Sequence, residues 1–295
     1  MYNADALAGV PLKPANAADL APDFPWPPPF RAAMFLSFDV DAESAWTGDD
    51  ADTAKLLISM SYGGYEARIG TRKLLELLAD LELKATFFIP GWTVEAHPMM
   101  CEAIAKDGHE IGHHGYHHLM PHPDNSLLVE EVERGLEALQ RVLGVRPKGY
   151  RAPSGEFTAE LLALLQECNF LYTSSFRDDV RPYRHRLADG RAGTIELPVS
   201  AGFDDWSLGL QTRTSSRQIM STRDVLPMWM DELDEVRDWG AMLTTVLHPQ
   251  CSGRPNRFRL LRTFLQQAMA YKDVWITTGE AIADRFREHE RLTGA

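Results

Sequence analysis

The sequence predicts an α/β fold in which parallel strands close, or nearly close, into a barrel. Three observations predict it. From Ala33 onward, short apolar runs of strand length alternate with amphipathic runs of helical spacing. About eight such strand runs occur, with no internal repeat, which favours one parallel sheet curled on itself. The unusual polar residues fall just after those runs, and in a parallel barrel the strand exits share one rim, where active sites are built.

The elements follow in order. Residues 11–30 carry Pro11, Pro14, Pro22, Pro25, Pro27, Pro28 and Pro29. Proline fixes φ and removes amide donors, so residues 1–30 are expected to form an extended arm. That arm is either a passive strap or a wrap around the domain or a neighbouring subunit. Residues 31–295 are expected to form a single catalytic barrel domain.

Strand runs lie at 33–38, 85–89, 109–112, 148–151, 170–174, 194–199, 241–247 and 273–277. Helical runs lie at 69–80, 95–106, 126–143, 158–167, 223–238, 256–271 and 278–290. Within 126–143, Leu128, Val129, Val132, Leu136, Leu139 and Val142 keep helical spacing, and Gly144 supplies a left-handed stop. Thr277 to Glu280 reads as a capping box with Thr277 as N-cap. The stretch 200–222 is polar and poorly periodic, a long loop over the site or at a subunit contact.

Composition narrows the function. The chain has 295 residues, 44% of them hydrophobic, enough for one well-buried core. Its formal charge of −12 argues against nucleic acid or an anionic membrane, which clustered Lys and Arg would hold. No apolar run approaches the roughly twenty residues of a membrane span. Cys101, Cys168 and Cys251 are odd in number and widely separated, as expected of reduced cytoplasmic thiols. The first residues show neither a basic start nor a long apolar stretch, so no secretory leader is expected.

The chemistry clusters at the strand exits. Asp39 and Asp41 follow the first run, Trp92 the second, His114 and His118 the third. Arg151 ends the fourth, Asp204, Asp205 and Trp206 follow the sixth, and His248 ends the seventh. A lone histidine is more often a packed residue than a ligand, but His113, His114, His117 and His118 fall within six positions. The i, i+4 spacing lets two rings face one ion if a helical turn starts there, and it is shared by His114/His118 and His113/His117. A carboxylate from Asp41 would complete a His-His-Asp set with open positions, which is catalytic in type. Alternate residues of an extended strand point the same way, so Asp39 and Asp41 can project together, one to bind metal and the other to accept a proton from water. Arg151 and the cation would keep both carboxylates ionised. His248 is a candidate general acid. Cys251 with His248 is a rival nucleophile pair, ranked lower because it leaves the aspartates and the histidine cluster unused. Trp92, Phe203 and Trp206 are candidate pocket walls.

Four ordered motifs resemble those of the polysaccharide deacetylase family, carbohydrate esterase family four. They are Ser37-Phe38-Asp39-Val40-Asp41-Ala42-Glu43, the stretch Gly108 to His118, Gly149-Tyr150-Arg151-Ala152-Pro153-Ser154-Gly155, and Val246-Leu247-His248-Pro249. The resemblance implies a distorted (β/α) barrel of seven or eight parallel strands and a divalent metal, usually zinc. It makes His114, His118 and Asp41 the ligands, Asp39 the base, Arg151 its orienting arginine and His248 the acid. The oxyanion donor would be the backbone N–H of Ser154.

Two features depart from the family pattern. Val40 separates the aspartates, and the segment after His248 differs from that of secreted chitin or xylan deacetylases. Both resemble the intracellular subgroup of peptidoglycan-deacetylase-like proteins, metal-independent allantoinases and cyclic imide hydrolases; this chain keeps the metal set. The resemblance implies a homo-oligomer, dimer or tetramer, with a partly closed site. The expected reaction is hydrolysis of a non-peptide C–N amide bond in a small molecule or short oligosaccharide. N-deacetylation is the first expectation, opening of a cyclic imide or ureide the second, and a non-catalytic metal-dependent binding protein the third.

Overall fold

The chain enters its first strand at Ala32 and changes sheets four residues later. In the computed structural model, which describes residues 24–48, 50–121, 126–187, 189–211 and 218–294, the strands are β1 (Ala32–Phe35), β2 (Ser37–Asp39), β3 (Thr86–Ile89), β4 (Glu110–His113), β5 (Gly149–Tyr150), β6 (Tyr172–Thr173), β7 (Tyr183–Arg186), β8 (Ala192–Glu196), β9 (Met242–Thr244) and β10 (Val274–Thr277). They form a seven-stranded sheet, β2-β3-β4-β5-β6-β8-β7, and a three-stranded sheet, β10-β1-β9. All pairings are parallel except β7 with β8.

Leu36 joins the two sheets. Its N–H donates to Thr277 O at 3.1 Å, and its own carbonyl accepts from Thr86 N–H at 3.0 Å. Beyond β9 the chain returns to β2, where Asp39 N–H donates to Leu247 O at 2.8 Å. Among the described residues the pairing gives ten strands in two sheets, linked by isolated parallel bridges at Phe38–Leu247 and Asp204–Val246. The 33–38 run splits at Leu36. The β7–β8 hairpin was hidden because β7, Tyr-Arg-His-Arg, has no apolar alternation. The fold is a mixed α/β one.

Both faces of β1 and β2 are buried, as parallel sheets require. Met34, Leu36 and Phe38 enter the larger apolar cluster with Phe87, Leu243 and Phe264, while Phe35 faces Phe88 and Tyr172 in a second one. Phe38 and Phe87 stack with centroids 5.0 Å apart.

The helices keep close to their expected places. In Leu128–Leu143 the stripe holds except at Val129, which is 49% exposed, and Gly144 at φ 68° ends the helix as expected. The helix expected at 69–80 begins earlier, as Leu57–Tyr65 continued by a π turn Glu66–Gly70 into Thr71–Asp80. Exposed Leu57 and Ile58 blur its periodicity. The run 95–106 is two helices, Gly91–Ala96 and Pro98–Lys106, broken before Pro98. The capping residue is Thr278, not Thr277, which still belongs to β10; Thr278 accepts from Ala281 N–H, and Glu280 pairs with Lys148.

Most of the proline-rich arm lies outside the described residues. Its end is anchored, with Phe24 stacked on Phe286 at 5.8 Å and Trp26 Nε1 donating to Gly240 O at 2.9 Å. Within the expected loop 200–222, Asp205–Gly209 is helical. Among the described residues no helix is long and apolar enough to cross a membrane.

Candidate active site

β2 delivers the two aspartates. Val40 N–H donates to Phe88 O at 2.9 Å, so the chain stays extended one residue past the strand. Val40 is buried in the apolar cluster, which leaves Asp39 and Asp41 to project together into the cavity. Ala42 then turns at φ 51°. Thr93 Oγ1 and Ser44 Oγ hold Asp41 O at 2.6 and 2.7 Å, and Glu66 Oε1 accepts Ala42 N–H at 2.8 Å.

β4 separates the histidines by parity. His113 lies on the packed side with its Nε2 3.0 Å from Val132 O, while its Nδ1 accepts Gly115 N–H at 3.1 Å. A carbonyl can only accept, so Nε2 carries the proton and the ring is neutral. Burial pushes His113 down to about 3, in keeping with that role. His117 is bonded from Nδ1 to Glu131 Oε1 at 2.9 Å, and Glu131 Oε2 also takes the N–H groups of Tyr116 and His117, each at 2.9 Å. These two histidines fasten the loop.

His114 and His118 face inward, their ring centroids 5.0 Å apart. They do not stand on the helical turn that i, i+4 spacing suggests. Gly115 at φ 74° and His118 at φ 62° fold the loop instead. His114 Nδ1 donates to Arg151 O at 2.7 Å, which leaves Nε2 as the basic nitrogen, 3.5 Å from Asp41 Oδ1. His118 Nε2 lies 3.7 Å from the same oxygen.

That oxygen is the test of a metal. Asp41 Oδ1 is buried and has no hydrogen-bond partner. Burial pushes the Asp41 carboxyl up to about 6 despite His114 and His248, with Asp39 and Asp205 adding to the rise. A buried carboxylate oxygen costs several kcal/mol unless compensated, on the order of 1–3 or more. The donor atoms of Asp41, His114 and His118 lie within 4.8 Å of one another, so the set fits a divalent cation.

Asp39 is held differently. Burial alone would raise it, but the guanidinium of Arg151, donating from Nη1 to Oδ1 at 2.8 Å, and the neighbouring imidazoles hold its carboxyl below the usual range. Arg151 lies over the Phe88 ring at 4.2 Å and gives its other two nitrogens to Ser174, to O and Oγ at 3.0 Å each. Opposite stands His248. Its Nδ1 lies 2.8 Å from Asp205 Oδ1, and Asp205 also accepts its backbone N–H and Ser252 Oγ. Burial opposes protonation, but the bond and charge of Asp205 hold the imidazolium well above its ordinary pKa. His248 Nε2 points to Asp41 Oδ2 at 3.9 Å. With its pKa raised, hydrogen-bonded on one nitrogen and facing the site with the other, it is equipped to donate a proton.

These side chains line one cavity of ≈ 250 Å³, together with Ser154 and Trp206. Three sequence candidates do not line it. Trp92 packs edge-on against His97 at 6.3 Å. Phe203 is buried and stacked on Trp229 at 5.1 Å, a core residue. Cys251 is buried, and burial raises its thiol well above the usual range, so no thiolate is available beside His248. Sequence reasoning gave no role to Glu66, Glu131, Ser174 or Asp205, which hold the inward residues in place.

Fold and site together define an α/β protein with a His-His-Asp centre at the exits of parallel strands. Comparison with known proteins carries this further. Residues 53–173 match the family model described as polysaccharide deacetylase. A structure from Mycobacterium smegmatis assigned to the polysaccharide deacetylases is 37% identical, covers 92% of this chain and 95% of its own, and superposes with a TM-score of 0.87. The peptidoglycan deacetylase of Helicobacter pylori is 28% identical over 282 residues, 84% of this chain and 94% of its own length. An allantoinase shares the fold with a TM-score of 0.79 at 21% identity, over 91% of this chain and 94% of its own. The chain belongs to the polysaccharide deacetylase family.

Proposed function

We propose that this protein is a metal-dependent hydrolase of a non-peptide C–N amide bond, acting by N-deacetylation of an acetylated sugar or a related small amide. The single observation that carries the reading is the partnerless, buried Oδ1 of Asp41 beside the Nε2 atoms of His114 and His118. Zinc suits two imidazoles and a carboxylate. When bound, such a metal polarises a carbonyl oxygen and lowers the pKa of water.

The chain's own groups supply the rest. Asp39, kept ionised by Arg151, accepts the proton of the attacking water. The backbone N–H of Ser154 faces the oxyanion that develops on the carbonyl. His248, held by Asp205, gives a proton to the leaving nitrogen as the C–N bond breaks. Acetate and a free amine are the products.

A second reading is supported by the size of the cavity. A volume of ≈ 250 Å³ suits a small ring better than a polymer, and the same groups would open a cyclic imide or ureide. The reading includes a homo-oligomer, dimer or tetramer, in the cytoplasm, on the distorted barrel of the family. The test is a panel of N-acetylglucosamine oligomers against small cyclic imides and ureides, assayed before and after chelation and after zinc is restored. Turnover that chelation removes and zinc returns supports the reading. Turnover indifferent to chelation overturns it, and saturable binding without turnover favours a binding protein.

A further inference from the structure

The cavity has two guanidinium groups, and amide hydrolysis as described uses one. Arg151 is buried and spends its nitrogens on Asp39 and Ser174. Arg177 also lines the cavity but stands exposed at its mouth. Its Nη1 lies 3.3 Å from both Gly155 O and Ser175 O. Both are neutral carbonyls, and among the described residues no carboxylate pairs with it.

The position of the group is defined. Gly155 has φ 75°, and a Cβ there would lie 2.7 Å from Arg177 Nη2. The guanidinium therefore rests against the Gly155 backbone, one residue from Ser154. The acidic groups of the cavity are occupied elsewhere. Asp39 pairs with Arg151, Asp204 caps Trp206 N–H and Ser207, and Asp41 faces the imidazoles. Although Asp178 and Asp179 follow it in the chain, the guanidinium of Arg177 bonds carbonyl oxygens and stays available on the cavity lining.

We infer that Arg177 takes a carboxylate carried by the substrate, a few bonds from the scissile C–N bond. A guanidinium presents a planar fork that matches a carboxylate with two parallel N–H···O bonds. Trp206, packed against Trp46 at 5.4 Å, offers a wall for the ring of the same molecule. The substrate class is then a small anionic amide, an N-acylated amino sugar or cyclic ureide bearing a carboxylate. This rests on the amide-hydrolase reading of the same site.

The experiment uses matched pairs that differ by the carboxylate: N-acetylglucosamine with N-acetylmuramic acid, and hydantoin with hydantoin-5-acetic acid. Affinity for the zinc-loaded protein is measured by calorimetry, independently of turnover. In at least one pair the anionic member binds roughly five- to tenfold more tightly, a size set by the exposure of Arg177. That ratio shrinks in high salt. Arg177→Gln brings it close to one, while Arg177→Lys retains part of it. Equal affinities within both pairs, or a preference that survives Arg177→Gln, would overturn the inference. A preference lost in Arg177→Gln without turnover of any pair would uphold the anion subsite and defeat the hydrolase reading.

Discussion

His114 donates from Nδ1 to the carbonyl oxygen of Arg151 at 2.7 Å, while the side chain of Arg151 donates to Asp39 at 2.8 Å. One residue therefore orients both a ring of the candidate metal site and the carboxylate beside it. The candidate ligand and the candidate base share a single support.

Ligand and base should nevertheless separate on mutation. His114→Ala and His118→Ala are expected to retain little zinc after dialysis and to lose activity. Asp39→Asn is expected to keep wild-type metal content while kcat falls about 100- to 10,000-fold. Metal analysis beside kinetics checks both, and full metal and activity in His114→Ala would end the assignment.

Asp205 bonds His248 Nδ1 and raises its pKa, so Asp205→Asn should weaken proton delivery to the leaving group. The expected loss is roughly tenfold or more in kcat for an alkyl amide. An anilide, whose nitrogen leaves more readily, should lose less. Equal losses on both would assign Asp205 to folding alone.

Gly135 is fitted to His113. A Cβ there would come within 2.2 Å of His113 Nε2 and 2.8 Å of Gly115 O. Gly135→Ala is expected to cost about 2–3 kcal/mol through overpacking, outweighing the gain in helix propensity. Urea unfolding measures it; an unchanged midpoint would show that the loop yields freely.

Stability should fall in mild acid through His109. Burial, with Lys84 beside it, pushes His109 down to about 4, and its Nδ1 accepts Ala85 N–H. Because the folded pKa lies below the unfolded value near ~6.5, the unfolded chain binds more protons between the two. The contribution is full above about pH 6.5 and declines as pH falls toward 4. Melting temperatures across that interval should drop less steeply in His109→Gln, which can still accept the Ala85 bond.

Strand exits were legible because polar residues end apolar runs, and parallel strands gather those ends. That logic places Asp39, Asp41, His114, His118, Arg151, Ser154, Trp206 and His248 around one cavity. Trp92 obeys the same rule yet turns away, because its own helix begins at Gly91 and carries the ring toward His97. Strand parity offered a signal that spacing did not: His113 shares the side of buried Ile111, while His114 takes the opposite one. Asp205 was legible as a strand-exit carboxylate but not as the partner of His248, and Glu66 was not legible at all. Their partners His248 and Gln250 stand 43 and 184 residues away, and only the tertiary fold joins them. The break at Leu36 was hidden for a similar reason, since every residue from Ala33 to Phe38 is buried and the run reads as one strand.

That break has a consequence for the cavity. Leu36 bonds to β10 through its amide and to β3 through its carbonyl, three residues before Asp39. Asp39 thus hangs from the seven-stranded sheet, while the chain that carries His248 leaves β9 of the three-stranded sheet and pairs with β2 at Leu247. The bond from Asp39 N–H to Leu247 O ties the backbones that carry the two side chains directly to each other. A fully buried leucine with no access to the cavity thus stitches together the two sheets that furnish its walls.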